Sequence, residues 1–306
     1  DPIEAPVAVL VGGRVVAVEL STAAGLAQLA PERRDPLVTT TYGVGQLIKA
    51  AYERHPFQRL FLALGGSATV DGGAGLLEAL GVKLLDAAGR PIPRGGGGLG
   101  QLATIDLSEV HPALRAQIIV AVDVDNPLLG PLGAAPVYGP QKGATHQQVE
   151  LLAANLTIFA DALVAATGNR VHDLRGAGSA GGVPAGLVAI AQAEMTPGFE
   201  LAAQALDLDD HLDRATVVFT GEGQLDGQSF QGKVVGRLAA RCHARGIPLV
   251  ALVGRIDPVG ERMLEDLGGV AFSLVPGPMS YEEALRQAPE LLEAIAARAA
   301  RLLKGP

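Results

Sequence analysis

The chain has no tryptophan and one cysteine, Cys242. A lone thiol excludes an intrachain disulfide framework and any cluster of thiolate metal ligands, and it fits a reducing cytoplasm. The six histidines are scattered and no two stand at H-x-x-x-H spacing, so a helical zinc site has no basis. His55, His111 and His146 read as ordinary loop or helix-start residues. No G-x-S-x-G elbow occurs, which leaves serine-hydrolase chemistry without a nucleophile. Basic charge is also short: 24 Lys and Arg against 32 Asp and Glu give a net charge of -8, with the cations dispersed. Nucleic-acid binding needs a concentrated basic surface to displace counterions, and none is present. The apolar stretches are broken by Gly, Asp or Pro, and none is expected to reach the roughly 20 residues that span a bilayer. A soluble protein with no membrane partner is expected.

Glycine is what the chain has in excess: 40 of 306 residues, at no fixed period, which excludes collagen and solenoid repeats. The glycines gather where an apolar run ends and a helical pattern begins, and in α/β proteins such strand-to-helix turns bind ligands. At 306 residues and 48% hydrophobic composition, two domains are expected rather than one. No charged-then-apolar export signal opens the chain. It begins without Met, at DPIEAPVAVLVGGRVVAVEL, which reads as the middle of a sheet, so upstream sequence is expected.

Residues 7–20 read as two strands around Gly12-Gly13, and RLFLAL (59–64) and QIIVAVDVDNP (117–127) as buried strands. Thr39 to Thr41 form the N-cap region of a helix, and residues 146–168 form an amphipathic helix stopped by Gly168. Strands at 215–223, IPLVALVG and GGVAFSLVP alternate with helices beginning at Gly232 and Glu282. This alternation predicts an α/β fold: two Rossmann-like or flavodoxin-like domains with mainly parallel sheets and a cleft between them. The boundary is expected near residue 140, giving domains 1–140 and 141–306.

LGGSATVDGGAG (64–75) is the most informative turn. Gly65 and Gly66 permit a sharp bend and close backbone approach, Ser67 and Thr69 supply hydroxyls, and the following helix points free amides outward. Together they favour a phosphate or carboxylate. Asp71 would coordinate a metal or cap that helix. In AVDVDNP (121–127), Asp123 and Asp125 end a strand on one face. Paired carboxylates call for a cation between them, and Mg²⁺ suits oxygen ligands. The alternative spends one of them on the Asn126-Pro127 turn.

In VVFTGEGQLDGQSFQGKVVG (217–236), Glu222 stands between two glycines and Asp226 follows four residues later. Lys233 opens a helix, where a cation opposes the dipole unless a phosphate is bound. Gly227 to Lys233 fits G-x-x-x-x-G-K, but Val234 replaces the Mg²⁺-binding hydroxyl, so a P-loop is rejected. RGAGSAGG (175–182) formally matches G-x-G-x-x-G through Gly176, Gly178 and Gly181 but follows no strand, so no dinucleotide fold is read from it. Arg175 and that loop's amides would hold a carboxylate, or the loop is a connector. Lys142, in GPQKGA, is either a phosphate-binding point charge or an exposed loop lysine. Glu19 reads as a strand-end carboxylate.

Taken together, ERRDPLVTTTYGVGQLI, LGGSATVDGGAG, VDVDNPLLGPLGAAPVYGPQKGAT, GAGSAGG followed by MTPGFELA, and VVFTGEGQLDGQSFQGK resemble the type I glycerate kinase family across essentially the whole chain. The resemblance implies a two-domain α/β enzyme transferring the γ-phosphoryl of ATP to D-glycerate, usually giving 2-phosphoglycerate, with Mg²⁺. It leaves a homodimer open. On this basis Asp123, Asp125 and Glu222 are the expected metal ligands, with Asp125, Asp226 and Lys233 catalytic. Gly65, Gly66, Ser67, Thr69, Asp71, Lys142 and Gly178 are the expected substrate- or phosphate-binding set. Three features depart from the family. Its usual opening segment, with a Lys-Gly-Ser loop and an Asp-Gly-Gly-Glu-Gly stretch, does not appear here. Val70 stands for a usual Asn, and Gln224 for a usual Arg, which removes a candidate phosphate clamp.

Overall fold

The computed structural model describes residues 5–10, 14–230 and 232–303. It divides into two compact units, Asp1–Leu201 and Ala202–Pro306. The strands of the first unit are β1 (Ala8–Leu10), β2 (Val15–Glu19), β3 (Arg59–Ala63), β4 (Lys83–Leu85), β5 (Thr104–Asp106), β6 (Gln117–Ala121) and β7 (Glu194–Thr196). Its helices are α1 (Ser21–Ala24), α2 (Tyr42–Arg54), α3 (Ala74–Ala79), α4 (Ala134–Tyr138), α5 (His146–Thr167) and α6 (Val183–Ala191), and α7 (Gly198–Ala205) crosses the division.

β1-β2-β3-β6-β7 form one sheet, parallel except for the antiparallel β1–β2 pair. The antiparallel pairing agrees with the expected hairpin, whose Gly12-Gly13 turn lies outside the described residues. β4 and β5 make a separate antiparallel pair. Leu60, Phe61, Leu62, Ile118, Ile119 and Val120 are all buried, as strands covered on both faces require. The strand ends are level: Glu19 pairs with Ala63, Ala63 with Ala121, and Ala121 with Thr196. The turns that leave β3 and β6 therefore start side by side at the carboxyl edge of the sheet.

The expected boundary near residue 140 differs from this division. α5 buries Leu152, Leu156, Phe159 and Leu163 in the first unit's core, and β7 adds an edge strand to its sheet, so the chain to residue 201 stays with the first unit. α5 starts with a capping box, in which Thr145 and Gln148 exchange side-chain and backbone bonds, and ends at Gly168 in the left-handed conformation. By length and composition alone α5 is long and apolar enough to cross a membrane, which the sequence reading did not expect of any stretch. Its buried stripe is explained by the core it fills.

The second unit contains α8 (Leu208–Leu212), β8 (Val218–Leu225), α9 (Val234–Arg245), β9 (Leu249–Ile256), α10 (Pro258–Asp266), β10 (Gly269–Ser273), α11 (Tyr281–Arg286) and α12 (Ala288–Leu303). β10-β9-β8 are all parallel. α12 sets Ile295, Ala296 and Ala299 against Val250 and Leu252, while α9 packs against β8 and β9. The closing helix read as continuous from Glu282 is two helices, broken at Gln287.

Candidate active site

Asp71 organises the turn after β3. It is fully buried. Its Oδ2 accepts from the Thr41 backbone N–H (2.8 Å), the Thr41 hydroxyl (2.9 Å), the Thr40 hydroxyl (3.3 Å) and Gly75 N–H (3.4 Å), and its Oδ1 accepts from Gly73 N–H (3.1 Å). Burial raises its pKa, opposed by the bonds from Thr41, Gly73 and Gly75. Both oxygens are taken up by donors within the protein, and in this way Asp71 shapes the turn. Thr41, at the N-cap of α2, caps nothing with its side chain: its hydroxyl donates to Asp71 and accepts from Leu76 N–H (2.9 Å).

Gly65 and Gly66 are exposed at the carboxyl edge, and Gly66 takes a φ of +69°. Ser67 behind them is 8% exposed and Thr69 1%. The Thr69 hydroxyl is buried without a hydrogen-bond partner, whereas its carbonyl accepts from Lys142. Lys142 is not an exposed loop lysine. It is 2% exposed, and its ammonium donates to Ser67 Oγ and to the Thr69 carbonyl, both at 2.7 Å. Burial lowers its pKa to about 7, against the pull of Asp71. Gly181 closes the turn from behind: a Cβ on it would stand 2.0 Å from the Thr69 carbonyl oxygen.

Asp123 and Asp125 lie beyond the end of β6, yet the alternation persists: both are exposed, while Val122 and Val124 are half-buried. Their partners differ. Asp123 Oδ1 accepts from Gly198 N–H at the start of α7 (2.8 Å), and Asp125 is held by Arg175 through two bonds of 2.6 Å. Arg175 thus supplies the cation that a carboxylate pair demands, and holds the Asp125 carboxyl below its usual range. The carboxylate that Arg175 grips is this internal one. Asn126 ties the loop to α4 by accepting from the Tyr138 hydroxyl (2.7 Å). The Gly178 amide donates to the Asn126 carbonyl (2.9 Å), so it is not available to a ligand as the sequence suggested. No strand precedes the Gly176–Gly181 loop, in keeping with rejection of a dinucleotide motif.

In the second unit, Glu222 lies half-buried on β8 and lines a cleft of about 1290 Å³ with Phe219, Leu252, Leu274 and Tyr281. Its Oε1 is buried with no hydrogen-bond partner, an arrangement natural proteins rarely leave unmet. Asp226 accepts from Gln228 N–H (2.8 Å), Ser229 N–H (3.3 Å) and Gln224 Nε2 (3.3 Å). It builds the turn leading to α9. Lys233 is the exposed N-cap residue of α9 and makes no capping bond.

Among the described residues, no group of three or more His, Cys, Asp or Glu side chains is gathered as a metal cage. The donor chemistry still fits Mg²⁺, which takes one or two carboxylates and completes its shell with water and substrate phosphates. Asp123 and Asp125 are such donors in the first unit, and the orphaned Glu222 oxygen is one in the second. Sequence reasoning missed the buried Thr41–Asp71 hub and the burial of Lys142 against Ser67 and Thr69. The only available signal was that TTTYG and GPQKGA carry polar residues with no assigned partner.

The glycerate kinase family model matches residues 1–304. A glycerate kinase from Halalkalibacterium halodurans is 42% identical over 294 residues, covering 96% of this chain and 77% of that protein. A glycerate 2-kinase from Escherichia coli is 41% identical over 281 residues, covering 90% and 72%. The solved structure of a glycerate kinase 2 from Salmonella typhimurium LT2 superposes with a TM-score of 0.84 at 39% identity, covering 95% of this chain and 76% of that one. With the family model matched over nearly the whole chain and relatives about 40% identical along most of their length, the chain belongs to the glycerate kinase family.

Proposed function

We propose that this chain transfers the γ-phosphoryl group of ATP to D-glycerate, giving 2-phosphoglycerate. The observation that carries the reading is the carboxyl edge of the first sheet. Exposed Gly65 and Gly66 leave β3 there, beside Asp123 and Asp125 leaving β6. A small hydroxy acid needs an anion cradle for its carboxylate and acidic groups near the reacting hydroxyl. Those two turns offer both. The similarity to a glycerate 2-kinase supports the 2-position as the site of transfer.

Phosphoryl transfer requires little covalent chemistry from the protein, so positioning and charge neutralisation carry the rate. Gly65, Gly66 and Ser67 would bind the carboxylate of the acid. Lys233, exposed at a helix start, would neutralise phosphate charge. Mg²⁺, when bound, offsets charge on the triphosphate; Asp123 and Asp125 are the first unit's carboxylates that would hold it, and Glu222 is the second unit's candidate. Asp125 would also accept the proton of the attacking hydroxyl. Asp226, which accepts three bonds in its turn, is the other candidate base.

ATP consumption measured with D-glycerate, tartronate, lactate and glycolate side by side tests the substrate. Turnover with D-glycerate well above the others is expected; none with any acid would leave a binding protein, and preference for another acid would reassign the substrate. Phosphorus NMR of the product reads the position, and a 3-phosphate would overturn the regiochemistry.

A further inference from the structure

We infer that Lys142 is a positioning residue which charges the Ser67 hydroxyl for anion binding without touching the substrate. This rests on the reading that the 65–67 turn binds the carboxylate of the acid. The Lys142 ammonium has no acceptor capacity, so at 2.7 Å it must donate to Ser67 Oγ. The oxygen of Ser67 is thereby committed as an acceptor, and its own hydrogen is left to donate outward. A hydroxyl polarised in this way is a stronger donor to a carboxylate than a free serine. The second ammonium bond, to the Thr69 carbonyl, fixes the lysine between two points of the same turn.

The tight packing around Lys142 argues that this placement is built. Gly143 takes a φ of +96°, and a Cβ there would stand 2.3 Å from the Arg34 carbonyl oxygen, so the loop is pressed onto the 31–37 segment. The Tyr138 ring of α4 lies 6.0 Å from the ammonium. The titratable groups facing Lys142 are Asp71 from the turn and Tyr138 from α4. Only Asp71 opposes the burial that weakens the cation. An arriving carboxylate adds a second negative charge close by and draws a proton onto Lys142.

The test is calorimetry of D-glycerate binding to the full chain at pH 8, in buffers of different ionisation enthalpy, for wild type, Lys142→Met and Ser67→Ala. Wild type is expected to take up a large fraction of one proton per glycerate, with affinity falling toward tenfold per pH unit above that point. Lys142→Met should bind more weakly, with no proton uptake and a KM effect larger than its kcat effect. Ser67→Ala should weaken binding and blunt the uptake. Unchanged glycerate affinity in a folded Lys142→Met overturns the inference. Uptake that persists in a folded methionine variant overturns it too. Binding that is unchanged in Ser67→Ala would remove the turn as the acid's site, and with it both readings.

Discussion

Thr41 and Asp71, thirty residues apart in sequence, are joined by two hydrogen bonds of 2.8 and 2.9 Å in a fully buried site. The Thr41 hydroxyl also accepts from Leu76 N–H, so one pair anchors the start of α2, the turn after β3 and the first turn of α3. A carboxylate is suited to this place because the three backbone N–H groups around it can only donate.

Asp71→Ala leaves those donors buried and unpaired. Each orphaned group costs about 1–3 kcal/mol, so a total loss of roughly 3 kcal/mol or more is expected in urea unfolding. Asp71→Asn should cost less, because one oxygen remains, but its amide would face donors. Unfolding midpoints within experimental error of wild type for both would show that the hub does not hold the turn.

Gly181 presses on the same turn. It adopts a φ of +74°, and an added Cβ would meet the Thr69 carbonyl oxygen at 2.0 Å. Gly181→Ala combines left-handed strain with a backbone clash, and a destabilisation of about 2 kcal/mol or more is expected. The KM for glycerate should rise with it, since the displaced atom belongs to the residue that Lys142 grips. An unaltered KM in a folded variant would separate the turn from binding.

Much of this was legible in the residues, and the failures have identifiable causes. Period and the Gly168 stop located α5 to within a residue, and the Thr145–Gln148 capping box at its start is what fixes that end in the structure. Strand-to-helix glycine turns pointed to the carboxyl edge of the sheet, since strand ends, turn glycines and acidic residues are all local signals. The main partners of Lys142 and Asp71 were not legible because they lie 30 to 75 residues away, although the helix-capping alternative for Asp71 is met by the Gly73 and Gly75 N–H groups. Gly178 was misread because a glycine-rich loop looks the same whether its amides face a ligand or, as here, the Asn126 carbonyl. The unit boundary moved because β7 is only three residues long and gives no periodic signal.

Arg175 and Asp125 form an exposed bidentate pair, 78% and 71% accessible. Exposed pairs contribute little to stability, so Arg175→Ala should melt like wild type. Its effect belongs in turnover, because Arg175 holds Asp125 in place and keeps it ionised. The acid limb of the pH–rate profile should therefore move to higher pH in this variant. An unmoved acid limb would dissociate Asp125 from the chemistry.

Stability itself should carry the mark of the buried lysine. The folded-state pKa of Lys142 is about 7, below the 10.5 of an unperturbed lysine. Between those values the unfolded chain binds more protons than the folded one, so this residue makes stability rise with pH through that window and withholds it below. The slope from one such group is at most about 1.4 kcal/mol per pH unit. Urea unfolding of wild type and Lys142→Met at pH 7, 8 and 9 isolates the contribution: the difference between the two should shift in favour of wild type as pH rises, and parallel curves would mean that Lys142 stays charged throughout.

Finally, Asp125 and Lys233 are exposed and contribute nothing to either core, so alanine at either position should leave unfolding unchanged. Each is assigned a charge in the transition state, metal or proton for the aspartate and phosphate for the lysine. Removal of one preorganised charge of this kind costs on the order of 10²–10³ in kcat. Steady-state rates of Asp125→Ala and Lys233→Ala, measured on protein with wild-type melting, decide the matter. Losses of that size in both support a charge-neutralising site. A loss in Asp125→Ala alone would keep the acidic turn and discard the helix-start lysine. Near-normal rates in both would mean that other side chains carry the transfer, since no phosphoryl acceptor site can work with its charges unbalanced.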